Sequence, residues 1–189
     1  MRSNVSWALL AAAGALTVSC GPTLLVGAGT EVTRTVLQER STMQALKDTE
    51  IQLSLNNSFL SESGELFGDV STNVTEGRVV LTGSVPRRED KVTATRLAWQ
   101  TAGVSSVTDE LVIQQDSGAV AYVEDAWISN QLRLDLLTAR SIRSVNYNIE
   151  TVDKVVHVTG LARSGAELSR VLDRASRIPG VVKVVSHVL

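Results

Sequence analysis

The chain of 189 residues has little of what usually carries chemistry or staples a fold. A single cysteine, Cys20, excludes an intrachain disulfide and any zinc site built on several thiolates. Only two histidines occur, His157 and His187, and neither accompanies a Gly-x-Ser-x-Gly elbow. Acidic pairs such as Glu89-Asp90 lie in a charged run that solvation explains, so nothing argues for an enzyme or a cofactor. Neither charge sign dominates: 18 basic residues against 20 acidic ones argue against general nucleic-acid binding. The longest apolar run, Val5 to Val18, falls short of the roughly 20 residues a membrane-spanning helix needs.

That run has a use of its own. MRSNVSWALLAAAGALTVSCGP opens with one Arg and ends in Ser19 and Cys20, which reads as a secretory signal over residues 1 to 19. A lone cysteine at the cut resembles the lipobox of bacterial lipoproteins, in which the thiol is acylated and becomes the new N-terminus. The pattern departs at one place, where Thr17 stands for the usual leucine and Leu16 precedes it. The resemblance implies a lipid on Cys20, and Gly21 after it implies sorting to the outer membrane; ordinary secretion with a leftover thiol is the alternative. LLVGAGTEV, residues 24 to 32, lacks the third glycine of a nucleotide loop and no βαβ unit follows, so residues 20 to 47 read as an acylated N-terminus and tether.

Beyond the tether the sequence repeats at an offset of 77. Asp48 aligns with Asp125, Ile51 with Ile128, Leu55 with Leu132, Val79 with Val156, Thr82-Gly83 with Thr159-Gly160, and Gly103-Val104 with Gly180-Val181. Each copy begins with an Asp taken as a helix cap, followed by apolar residues at i and i+4 that mark an amphipathic helix (Ile51, Leu55, Phe59; Ile128, Leu132, Leu136). A polar loop, a β-hairpin broken in its second strand by Gly83 or Gly160, a charged helix and a Val-rich strand complete the unit. The hairpins NVTEGRVVLTG and NIETVDKVVHVTG are expected to differ by two residues in the turn. The expected core is Ile51, Leu55, Val79, Leu81 and Val104, with Ile128, Leu132, Val156, Val158 and Val181 in the second copy.

The recurring Asp-x-x-Ile-x-x-x-Leu, Val-x-Leu-x-Gly (residues 79–83; Val156 to Gly160 in the second copy) and Gly-Val-x-x-Val (residues 103–107 and 180–184) resemble BON domains. With signal and lipobox included, the chain is similar to dual-BON-domain outer-membrane lipoproteins of Gram-negative bacteria. The lead-in Arg40-Ser41 also fits, although Met43 stands where the family carries glycine. The resemblance implies an α+β fold of two tandem αββαβ modules, each a small three-stranded sheet against two helices. The first spans 48–114 and the second 125–189, joined by a linker over 115–124. It also implies phospholipid-associated, non-catalytic work in envelope integrity at the periplasmic face of the outer membrane.

Charge separates the copies. Residues 48–124 carry 5 basic and 12 acidic residues, residues 125–189 carry 9 and 6. The basic copy is the one suited to an anionic phospholipid membrane. Its first helix also carries Trp127 and Leu134 at about −100° and −120° on a wheel whose core lies near 40°, so both face water in a soluble domain. The first copy has Glu50 and Asn57 there, so the fold does not require apolar groups at those positions. The expected lipid-binding set is Trp127, Gln131 and Leu134, with Arg133, Arg140 and Arg143 holding headgroups. The competing class is a periplasmic scaffold that binds envelope proteins. Trp99 is expected to pack on its hairpin, with an inter-domain contact as the alternative, RREDK (87–91) to be a solvated helix start, and the two histidines to be surface strand positions rather than a metal site.

Overall fold

The computed structural model describes residues 42–114 and 119–189; the expectations for Cys20, the signal and most of the tether lie outside the described residues. The first module runs α1 (Thr42–Glu62), α2 (Gly64–Asp69), β1 (Val70–Thr75), β2 (Arg78–Val85), α3 (Arg88–Gln100), β3 (Ser106–Asp109) and β4 (Val112–Ile113). The second runs α4 (Ala119–Thr138), a 3-10 turn at Ser144–Asn146, β5 (Tyr147–Val152), β6 (Val155–Gly160), α5 (Gly165–Ser176) and β7 (Lys183–Val188). Each sheet places its second strand centrally, antiparallel to the first and parallel to the last. The expected αββαβ order is present in both, with α2 and β4 as additions in the first. The polar loop expected before β1 is helical in its tail, because the Ser63 hydroxyl accepts from Leu66 N and caps the turn, which buries Leu66.

Two separate cores result. Ile51, Leu55 and Phe59 descend one face of α1 onto Val79, Leu81 and Ala94, Ala98 of α3. Ile128, Leu132 and Leu136 do the same against Val156, Val158, Val171 and Ala175. Val104 and Val181 pack at the margins, half-buried.

Asp48 and Asp125 do not cap their helices. α1 starts at Thr42 and α4 at Ala119, so both carboxylates lie within helices, and residues 119–124, read as a linker, are helical. Their partners are the hairpin turns. Asp48 accepts from Glu76 N and Gly77 N, each at 2.9 Å, and Asp125 from Asp153 N and Lys154 N, each at 2.8 Å. The four turn residues all have positive φ, the signature of a two-residue turn whose twist matches its strands. The turns are equally long in both copies, and Val70↔Gly83 matches Tyr147↔Gly160 at the constant offset. The expected two-residue difference is therefore wrong; it rests on aligning Asn73 with Asn148, where the constant offset of 77 aligns Asn73 with Glu150.

Gly83 and Gly160 serve a close approach rather than a break. Their φ values are +124° and +127°, and a Cβ would fall on the carbonyl oxygens of Asp69 and Asn146, which glycine alone permits. β2 continues past Gly83 to Val85.

The helices cover one face of each sheet, and the opposite faces meet. β1 lies against β6 and β2 against β5, a reciprocal pattern that relates the copies by a pseudo-two-fold axis. Val80 and Thr82 of β2 and His157 and Thr159 of β6, all on the faces turned from the helices, are consequently buried. The Ser71 hydroxyl reaches the Glu150 carboxylate across this seam.

Candidate functional site

The expected lipid-binding residues divide by where α4 leads them. The amphipathic spacing that buries Ile128, Leu132 and Leu136 turns Trp127 and Leu134 outward, and they are 50% and 59% exposed. Val123 and Leu137 extend the same exposed apolar strip, and Gln131 is exposed beside it. Neither Trp127 nor Leu134 belongs to a core. This is an apolar surface on a helix whose buried face is already satisfied.

The arginines are less uniform. Arg133 turns away from the strip: its guanidinium donates to the Ile149 carbonyl and to Asn130 Oδ1. It lines a cleft of about 360 Å³ between the modules together with Asp69, Ser71 and Glu150. Burial pushes the Glu150 carboxyl above its ordinary range, while Arg133 and the Ser71 hydroxyl pull the other way. Arg143 is half-buried, and its backbone N–H donates to Glu167 Oε1 at 2.8 Å. Arg140, just past the end of α4, is exposed.

Sequence reasoning missed Arg170. On α5 it donates to the Ser141 carbonyl at 3.3 Å, which sets a second exposed guanidinium beside the C-terminal end of α4, where the helix dipole favours cations. The only signal was an Arg on the polar face of an amphipathic helix, and nothing in its spacing names the loop it meets. The neighbouring Arg174 is paired with Asp135 at 2.7 Å, and Arg177 with Asp173 at 2.8 Å. Arg140 and Arg170 thus stand together at one end of the apolar strip.

Two expectations fail. Trp99 is 55% exposed, because Ala94 and Ala98 are the α3 residues that meet the core and Trp99 lies one step, about 100°, round the helix. The histidines are not surface positions either: His157 is 3% exposed, since the outer face of β6 is covered by the first module. At the charged start of α3, Arg87, Arg88 and Glu89 are exposed as expected, Arg87 pairs with Asp90 at 2.8 Å, and Lys91 is half-buried, donating to the Leu111 carbonyl at 2.6 Å.

The first module is not wholly polar outside. Leu46, Leu53 and Leu60 form an exposed row on α1, at positions other than the equivalents of Trp127 and Leu134. Among the described residues no helix is long and apolar enough to cross a membrane.

A family model for the BON domain matches residues 47–115 and 124–189, one match on each module. The chain belongs to the BON-domain family. It is 34% identical over 144 residues to the protein of the gshII 5' region of Anaplasma centrale, covering 76% of this chain and 94% of that one. It is 24% identical to the outer membrane lipoprotein DolP of Haemophilus influenzae, covering 85% and 83%, and 27% identical to osmotically-inducible protein Y of Escherichia coli, covering 61% and 59%. The tandem BON architecture is therefore common ground between the sequence reading and the fold.

Proposed function

We propose that this BON-domain chain is a lipid-anchored periplasmic protein at the inner face of the outer membrane that supports envelope integrity, its second module lying on anionic phospholipid through α4. The observation that carries the reading is the exposed Trp127–Leu134 strip, unneeded by either core, ending at Arg140 and Arg170. The similarity to an outer membrane lipoprotein supports the location. Arg133 is left out of the gripping set because its guanidinium, though exposed, is held by the Ile149 carbonyl and Asn130 Oδ1 on the side away from the strip.

The magnitudes suit a tethered module. Burying the exposed parts of Trp127 and Leu134, half or more of each, contributes about 2–3 kcal/mol at about 1.5–3 kcal/mol for a wholly buried large apolar side chain. Two guanidinium groups near an anionic surface add about 1 kcal/mol each. The sum corresponds to roughly millimolar affinity, which a free protein shows only at millimolar lipid and which suffices for one held at the surface by an acyl anchor. Cys20 is the residue proposed to carry that anchor.

Both cores lie within residues 51–188, so a chain without residues 1–20 keeps them whole. In that form, with Trp99→Phe leaving Trp127 as the fluorophore, emission should shift blue on titration with phosphatidylglycerol vesicles. Trp127→Glu should remove the binding while leaving the far-UV spectrum unchanged. An unshifted spectrum at high lipid overturns the reading in favour of a periplasmic scaffold for envelope proteins, for which the row on α1 offers a surface.

A further inference from the structure

Three potential metal ligands from both modules converge at the seam. Glu110 follows β3, His157 sits in β6 and His187 in β7, and one donor atom from each lies within 4.8 Å of the others. His187 Nε2 is 3.4 Å from Glu110 Oε1. The two imidazole rings lie parallel, 6.1 Å between centroids. Topology produces this meeting. His187 pairs in register with Thr159, so His157, two residues earlier on the same face, is its diagonal neighbour. Glu110 and His187 are equivalent positions under the repeat offset of 77, so each meets its own counterpart across the pseudo-two-fold axis.

The donors are poorly served as they stand. His157 is 97% buried and its Nδ1 has no hydrogen-bond partner, and His187 Nε2 is also buried without a properly aligned one. Buried polar atoms without partners are uncommon and ask for a reason. Packing does not supply one at His157, because the first module fills the equivalent place with Val80.

We propose that Glu110, His157 and His187 form a Zn²⁺ site that joins the two modules. Two imidazoles and a carboxylate are a zinc set, whereas Mg²⁺ and Ca²⁺ call for oxygen ligands. Tetrahedral donors with bonds of about 2.1 Å stand roughly 3.4 Å apart. The His187–Glu110 edge has that length already; the two rings lie in parallel planes, so closure requires the His157 imidazole to turn about its side-chain bonds until a ring nitrogen points at the ion. A water takes the fourth place. Glu110 comes from the first module and both imidazoles from the second, so the ion acts as a staple between modules.

The test uses the full chain with Cys20→Ser, so that no thiol competes, solubilised in detergent and stripped with EDTA. Isothermal titration with Zn²⁺ should give one site per chain, Co²⁺ should develop the visible bands of a tetrahedral centre, and the Tm should rise with Zn²⁺ but not Mg²⁺. Glu110→Gln and His187→Gln should each weaken Zn²⁺ by about a hundred-fold or more, given that loss of an outer-shell partner alone costs ten- to hundred-fold. Both residues retain some exposure, so these variants keep the test decisive even where His157→Gln fails to fold. Absence of Zn²⁺ uptake by the parent overturns the proposal. So does unchanged uptake by the Glu110→Gln/His187→Gln double variant, which would mark the ion as adventitious surface binding.

Discussion

Replacing Asp48 by alanine should destabilise the first module more than any single surface change. The Asp48 side chain is 2% exposed and accepts two backbone N–H groups, at 2.9 Å each, from the turn residues Glu76 and Gly77. Those residues hold positive φ, and their N–H groups point into the helix rather than to water. Hydrogen bonds to a charged acceptor contribute about 1.5–3 kcal/mol each, for a gross loss of about 3–6 kcal/mol. Two terms offset it: the carboxylate no longer has to be desolvated, and alanine gains about 0.5 kcal/mol of helix propensity. A net loss of about 2–4 kcal/mol follows, against a total of only about 3.5–10 kcal/mol for a module of some 70 residues. Asp125 makes the same pair of bonds, but with an exposed turn, so water replaces it more readily and Asp125→Ala should cost about half as much. Asp48→Asn, which keeps one acceptor oxygen, should fall between. Urea unfolding followed by far-UV circular dichroism measures all three. A loss below about 1 kcal/mol for Asp48→Ala, or an equal loss at Asp125, would refute the claim that the carboxylate clasps the hairpin.

Glu167 gives the second module a pH dependence. Burial pushes its carboxyl up, but the Arg143 N–H at 2.8 Å and the Arg163 guanidinium at 2.7 Å more than reverse this and hold it below the ordinary range. A folded value below the unfolded one stabilises the fold above the unfolded carboxylate pKa of about 4.3, and that contribution disappears as pH falls through the folded value. The Tm gap between the parent and Glu167→Gln should therefore be wide at about pH 6 and narrow toward pH 3; a constant gap refutes it. With EDTA present, His157→Val should be neutral or stabilising by up to about 1 kcal/mol, because it replaces a buried imidazole whose Nδ1 lacks a partner with the residue the first module already uses. A loss above about 1 kcal/mol in denaturant titration would show that the ring is held for packing.

The features legible in the sequence are those that a residue's neighbours along the chain decide. The i, i+4 spacing of Ile51, Leu55 and Phe59, the alternation around Val79 and Leu81, and the outward angle of Trp127 each depend on one element's own period, and each appears in the fold. Asp48 was misread because a carboxylate before an apolar run looks the same whether it caps its helix or reaches a turn 28 residues on. Arg133 failed for the same reason, since its angle on the helix was right and its partner, the Ile149 carbonyl, belongs to a strand. The histidines needed one further level. Strand alternation puts His157 on the face turned from its helices, and in an isolated module that face meets water; it is buried only because a second sheet covers it. The repeat nonetheless held part of the answer. Two like modules that dock by their open sheet faces about a two-fold axis must bring some positions against their own counterparts, and the offset of 77 pairs Glu110 with His187. What the offset lacks is the position of the axis. Drift between the copies therefore accumulates most usefully where the axis runs, for there an acid in one copy and an imidazole in the other become partners without any change of fold.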